Sequence, residues 1–203
     1  MSARSTSFAQ EHRPSTVDHL GRWLSAVRIR RYLGDVRGCR AADIGCGHDA
    51  ALGLRLFDDA AALLLVDVAI DEGLRTEHRQ LLCGRLPDVL GQVADGSVDA
   101  IICNNVLEHL DDPEATVGAM HRILSDGGVC VINVPSWRGK RFLELAAFRL
   151  GVAPKDEMDD HKAYYDPRDL WPLLVRAGFL PSGIKLTRHK GGLNTIARCQ
   201  KSA

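Results

Sequence analysis

The sequence lacks any excess of charge of one sign. Its 203 residues carry 26 Lys and Arg against 26 Asp and Glu, a formal net charge of +0. Binding a phosphate backbone needs a surplus of Lys and Arg on one face, so the composition argues against a nucleic-acid partner and leaves only a local basic patch near 137–141. Long apolar runs are missing too. The longest uncharged one, 60–66, is far short of the roughly 20 residues that span a bilayer. The opening residues, Met1 to Thr16, mix Ser, Arg, Gln and Glu without a hydrophobic segment, so no secretory signal is expected. None of the six cysteines, Cys39, Cys46, Cys83, Cys103, Cys130 and Cys199, forms a C-x-x-C pair. Most fall in strand-like runs, which favours buried, reduced thiols over disulfides or a zinc site, and hence a cytoplasmic setting.

What the chain does contain is concentrated in 40–50, Arg-Ala-Ala-Asp-Ile-Gly-Cys-Gly-His-Asp-Ala. A short apolar run ends at Asp43-Ile44, turns through Gly45 and Gly47, and opens onto a helix-compatible stretch. That is a strand delivering a Gly-rich turn to a helix start, where a ligand can approach the backbone closely. The pattern also satisfies the dinucleotide form G-x-G-x-x-A, so the glycines alone do not name the ligand. Asp43 discriminates: a carboxylate ahead of the turn repels a pyrophosphate and suits an ammonium and a sulfonium. S-adenosylmethionine (SAM) carries both.

The remaining pattern alternates strands and helices. After a polar tail, 1–14, the stretch 15–34 reads as a helix with Leu20, Trp23, Leu24, Val27 and Tyr32 near one stripe, capped by Ser15 or Thr16 and ended by Gly34. Strand-like runs follow at 41–44, 63–68, 80–83, 98–103 and 129–134. Asp112-Pro113-Glu114 starts a helix that Gly127-Gly128 should stop. Asp166-Pro167 starts another, reaching Ala177, in which Pro172 is awkward unless the start lies near Asp169. The runs 184–188 and 193–199, joined through Lys190-Gly191-Gly192, read as a hairpin. Length and alternation give one domain over 15–203: α/β, doubly wound, mostly parallel, with an antiparallel C-terminal hairpin and a lid-like insertion at 136–165.

Ligands of such sheets sit beyond the carboxyl ends of the strands. Asp43, Gly45, Asp67, Gly84, Asn104 and Asn105 all fall there. Asp67, twenty residues past Gly47, is placed to accept both hydroxyls of a ribose; a helix N-cap is its alternative.

Ala42-Asp43-Ile44-Gly45-Cys46-Gly47 resembles the D-x-G-x-G signature of class I SAM-dependent methyltransferases. The likeness runs on through Asp67, Asn105-Val106-Leu107-Glu108-His109-Leu110, Arg122-Ile123-Leu124 with Gly127-Gly128, and Ala177-Gly178-Phe179. It covers roughly 36–201 and points to the small-molecule branch that includes quinone and sugar methyltransferases. It implies a seven-stranded Rossmann-like sheet and SAM lying across the strand ends. The methionine part would meet Asp43, Gly45, Cys46, Gly47 and His48. The ribose would meet Asp67 and Val68, with Gly84, Arg85, Leu86, Asn104 and Asn105 completing the site. Relatives often carry Gly-Asp where this chain has Gly84-Arg85, so adenine contacts must come from the backbone or elsewhere. Asp160-His161-Lys162, Tyr164-Tyr165 and Gly192-Leu193-Asn194 are also similar to methyltransferases of bacterial glycan biosynthesis.

Methyl transfer from a sulfonium needs alignment more than chemistry from the protein, and no metal. If the acceptor is a hydroxyl, a base helps remove its proton. His109, at the pocket rim, and His161, in the presumed lid, are the catalytic candidates. The alternative for His109 is a helix-entry residue hydrogen-bonded to backbone, and for His161 a lid-to-body salt bridge or an exposed residue. Tyr164 and Tyr165 read as packing or substrate-stacking groups, and His12, His19, His78, His121 and His189 as surface residues. The reading is a methyltransferase acting on a sugar or other hydroxylated small molecule. A non-catalytic SAM-binding protein and an NAD-type oxidoreductase stand as alternatives.

Overall fold

The continuous apolar runs of the sequence become adjacent parallel strands because each must bury both faces. The computed structural model describes residues 16–140 and 162–202. In it β1 (Arg40–Ile44), β2 (Ala62–Asp67), β3 (Arg79–Cys83), β4 (Val98–Asn104) and β5 (Leu124–Pro135) lie parallel. β6 (Ile184–His189) and β7 (Asn194–Gln200) form an antiparallel pair, and β7 runs against β5. The order is β3-β2-β1-β4-β5-β7-β6, so the chain reverses direction across the sheet between β1 and β4. A cleft forms at such a switch point, beyond the carboxyl ends of the strands.

Two apolar layers sandwich the sheet. Ala42, Ile44, Ile101 and Cys103 pack with Met120 of α3 (Pro113–Ile123) and Leu170 and Leu174 of α4 (Pro167–Arg176). On the other face Ala41, Leu65, Ile102, Val131 and Ile196 pack with Ala26 and Ile29 of α1 (Thr16–Leu33) and Leu56 of α2 (Ala51–Leu56). Since side chains alternate along a strand, Asp43 projects to the same side as Ala41, beneath α2. Among the described residues no helix is long and apolar enough to cross a membrane.

Three local expectations are corrected. Of the stripe foreseen on α1, Tyr32 is buried, together with Ala26, Ile29 and Leu33, whereas Trp23, Leu24 and Val27 are exposed. The helix docks through the stripe that also carries Ser25, so its burial is decided by the sheet rather than by its largest residues. Gly127-Gly128 does not end α3, which stops at Ile123 and passes straight into β5. Gly127, at φ 77, instead bulges the start of β5, whose pairing with β4 jumps from Val98↔Leu124 to Ala100↔Val129. Finally α4 begins at Pro167, where Asp169 Oδ2 accepts the Asp166 N–H at 3.0 Å, and Pro172 lies inside it. The tail 1–14 and most of the insertion 136–165 lie outside the described residues.

Candidate functional site

The glycine turn after β1 is held from β2. Gly45 and Cys46 donate their N–H groups to the Val66 carbonyl at 2.7 and 3.1 Å. Gly47 donates to Asp67 Oδ2 at 2.8 Å, and Val68 N–H to Asp67 Oδ1 at 2.7 Å. Gly45 and Gly47 have φ of 75 and 77, a region L side chains rarely adopt. Position 45 has a second requirement, because an added Cβ would sit 2.2 Å from Cγ2 of Val106. The turn is thus clamped between β2 and the segment after β4. His48 joins the same frame through its carbonyl, which accepts the Asp71 N–H at 3.0 Å.

Asp67 does not cap a helix. That role falls to Asp71, whose side chain accepts from Gly73 N–H ahead of the short 3₁₀ turn Glu72–Leu74. Each Asp67 oxygen has accepted one backbone N–H and keeps a second lone pair, and the residue is partly exposed at the tip of β2. A vicinal diol fits such an acceptor.

Asp43 is buried at 1% exposure, and its Oδ2 has no hydrogen-bond partner. Gly53 of α2 makes room for it: a Cβ there would lie 2.5 Å from Oδ2. Desolvation pushes the Asp43 carboxyl up to about 8, the Asp67 charge adds to the rise, and a backbone hydrogen bond at Gly53 only partly offsets them. Burial, then the same two carboxylates, also push the Cys46 thiol up. Two acids with an orphaned oxygen, and no basic side chain among the influences on Asp43, fit a cationic ligand and disfavour a pyrophosphate. The residues fit SAM.

At the far side of the cleft lies an amide cluster that sequence reasoning found only in part. Asn105, with φ 55, donates its N–H to the Asn133 carbonyl at 2.8 Å. Asn133 Nδ2 donates to Asn104 Oδ1 at 2.9 Å and reaches Asn105 Oδ1 at 3.4 Å; Asn194 Nδ2 reaches the same atom at 3.4 Å. Asn133 and Asn194 are buried, and Asn133 Oδ1 is unpartnered. Asn133 could have been flagged as a lone amide inside an apolar strand run. Asn194 stood out only in the likeness of Gly192-Leu193-Asn194 to glycan-biosynthesis methyltransferases; its place beside Asn105 depends on the β5–β7 register.

The other candidates are spread around this centre. Gly84 donates its N–H to the Asp67 carbonyl at 2.9 Å, and a Cβ on it would lie 2.7 Å from Cγ2 of Val89. Arg85 is exposed and Leu86 partly buried. The Arg85 charge, after the closer Lys162, helps hold the Asp111 carboxyl below its usual range. His109 is partly buried in the turn Leu107–His109 and donates its N–H to the Val106 carbonyl at 3.0 Å. His161 lies outside the described residues. Tyr164 and Tyr165 are buried; the Trp137 ring lies 5.6 Å from the Tyr164 ring, and Lys140 Nζ is 5.5 Å from each. Burial, then Glu108, push the Tyr165 phenol up to about 12. Two histidines read as surface residues are only partly exposed. His121 is partly buried and meets the Phe179 ring edge-on at 4.8 Å, and His189 is partly buried against α1.

A family model described as a methyltransferase domain matches residues 21–180. A ubiquinone biosynthesis O-methyltransferase of Neisseria meningitidis serogroup C (strain 053442) is 26% identical over 180 residues, covering 83% of this chain and 75% of that protein. The protein of that name from Psychrobacter arcticus (strain DSM 17307 / VKM B-2377 / 273-4) is 26% identical over 159 residues, 70% of this chain and 59% of its own length. Among solved structures, magnesium protoporphyrin IX methyltransferase from Synechocystis PCC 6803 with bound SAH superposes with a TM-score of 0.64 at 16% identity, covering 95% of this chain and 90% of that one. At that identity the match speaks for the fold.

Proposed function

Because the chain belongs to the SAM-dependent methyltransferase family, we propose that it moves the methyl group to a hydroxyl oxygen of a small molecule. SAM, when bound, supplies the electrophilic methyl carbon. The observation that carries the donor half is the pair of acids, Asp43 beneath α2 with Oδ2 unpartnered and Asp67 at the tip of β2 bonded to the glycine turn. Asp67 takes the ribose hydroxyls on its free lone pairs. Asp43 answers the positive charge of the donor, and Gly45 and Gly47 let it lie against backbone.

The acceptor half rests on the end of the sheet around Asn105, Asn133 and Asn194, and on the O-methyltransferase names of the relatives. Amides there can orient an acceptor hydroxyl without charge. A hydroxyl that accepts the methyl group must lose its proton, and we assign that proton to His109, in the turn after β4. A sugar remains one hydroxylated acceptor among others.

The test is turnover with methyl-labelled SAM against a panel of phenols, catechols and glycosides, reading labelled ether and S-adenosylhomocysteine together. Label must appear on oxygen, and His109→Gln must slow that step by about 10²-fold or more while the protein stays folded. Tight cofactor binding with label on nitrogen or carbon would overturn the oxygen assignment. No binding of either SAM or its demethylated product by folded protein would overturn the donor assignment.

A further inference from the structure

We propose that Arg28, His189 and Lys190 form the seat for an anionic group, a phosphate or carboxylate, carried by the methyl acceptor. This rests on the methyltransferase reading and narrows its acceptor. The three side chains meet where α1 packs against the turn between β6 and β7. Lys190, at φ 51, lies against α1: a Cβ on Gly21 would be 3.7 Å from its Nζ. His189 is hydrogen-bonded to the Leu24 backbone, and its Nε2 is buried without a partner. Arg28 spends one nitrogen on neutral oxygens, Tyr32 at 3.3 Å and Thr187 at 3.4 Å, while its Nε is buried and unpartnered.

Among the described residues no carboxylate pairs with any of the three. Burial, then the neighbouring charges of Lys190 and Arg28, lower the His189 imidazole, and desolvation lowers the Lys190 ammonium. The Arg28 and Lys190 charges, with the Arg28 Nε donor buried and unsatisfied, are costly unless an anion joins them, and such an anion would draw a proton onto His189 Nε2 and make it a third donor. The place is also right for an acceptor. Ser136 Oγ donates to the Gly192 carbonyl at 2.6 Å, and Asn194 reaches Asn105, so the β6–β7 turn is fastened to the end of the sheet where the amide cluster sits. Arg138 lies across Gly192, its Cδ 3.3 Å from where a Cβ would be, and adds a further cation at the same turn.

Inorganic phosphate is the probe, titrated into the full chain by calorimetry with and without saturating S-adenosylhomocysteine. The wild type should bind phosphate. Lys190→Gln and His189→Gln should each weaken it about tenfold, ~1.4 kcal/mol, and leave S-adenosylhomocysteine affinity within about twofold. Lys190→Arg should retain binding. Without phosphate, Lys190→Gln should melt at or above the wild-type temperature, because it removes like-charge repulsion; a merely structural lysine would give a lower one. Three results overturn the seat: no phosphate binding while S-adenosylhomocysteine binds, phosphate binding untouched by either variant, or binding confined to phosphatidylglycerol vesicles. Loss of S-adenosylhomocysteine binding in the wild type strikes the methyltransferase reading instead.

Discussion

Asp67 Oδ2 accepts the Gly47 N–H at 2.8 Å across twenty residues of chain, and through that one contact the tip of β2 holds the turn after β1. The carboxylate we propose for the ribose is therefore also a structural tie. A residue with both duties should show both losses when removed.

Asp67→Ala should weaken S-adenosylhomocysteine binding by about 1–3 kcal/mol through loss of charge-assisted hydrogen bonds. It should also lower unfolding stability by about 1 kcal/mol, because the N–H groups of Gly47 and Val68 lose their partner. Calorimetry and urea unfolding measure the two. Unchanged affinity with lowered stability leaves Asp67 only its structural tie.

Gly53→Ala should destabilise the protein by about 1–3 kcal/mol, although Ala is ordinarily the better helix former. Its Cβ would meet Asp43 Oδ2 at 2.5 Å and the Asp43 Cβ at 2.9 Å. Pairing it with Asp43→Ala should recover part of the loss, since Oδ2 and Cγ are then gone and only the Cβ at position 43 still obstructs. Urea midpoints of the two single variants and the double variant decide this as a double-mutant cycle.

The Asp43 carboxyl titrates near 8 in the fold against 3.8 in the reference state. Between those values the folded chain holds a proton that the unfolded chain has released, so stability must fall as pH rises from about 4 to 8. Asp43→Asn, which keeps the shape without the charge, should flatten that slope. It should gain about 2–5 kcal/mol on the wild type by pH 8 in ligand-free unfolding. A cationic ligand restores the charged form, so SAM, with the sulfonium that S-adenosylhomocysteine lacks, should release a proton on binding at neutral pH. Calorimetry in buffers of different ionisation enthalpy reads that proton.

At the opposite end of the sheet, Arg40 Nη2 lies 2.6 Å from Asp99 Oδ1, and the Arg40 N–H and Ser125 hydroxyl also donate to Asp99. The Arg40 hydrogen bonds hold the Asp99 carboxyl well below the usual carboxylate range. A depressed acid stabilises the fold above its ordinary titration range and loses that contribution as pH falls towards the folded value. Both side chains are a third or more exposed, so Asp99→Asn should cost only about 1 kcal/mol at neutral pH. The gap from wild type should close in acid. A gap independent of pH would assign Asp99 a packing role.

Much of the site was legible because its physics is local. A parallel strand buried on both faces writes itself as an apolar run, a left-handed turn demands glycine, and a strand-tip acid stands out after such a run. That was enough for β1, β2, β4 and β5, for the glycine turn, and for Asp67 as a strand-tip acid. It was not enough for α1, where Trp23 and Val27 advertise a buried stripe and the sheet takes Ala26 and Ile29 instead. Periodicity gives the stripes of a helix and says nothing of which one the sheet offers room to.

By itself, then, the sequence determined which segments are strands, where the backbone must turn left-handed, and that an acid precedes that turn. Only the tertiary structure decided that this acid lies buried beneath Gly53 with an orphaned oxygen, that Asn133 and Asn194 join Asn105, and that His189 and Lys190 face Arg28. The reason is separation along the chain. Arg28 stands some 160 residues from His189, and no pattern within a strand or helix encodes a meeting that strand order and register alone bring about.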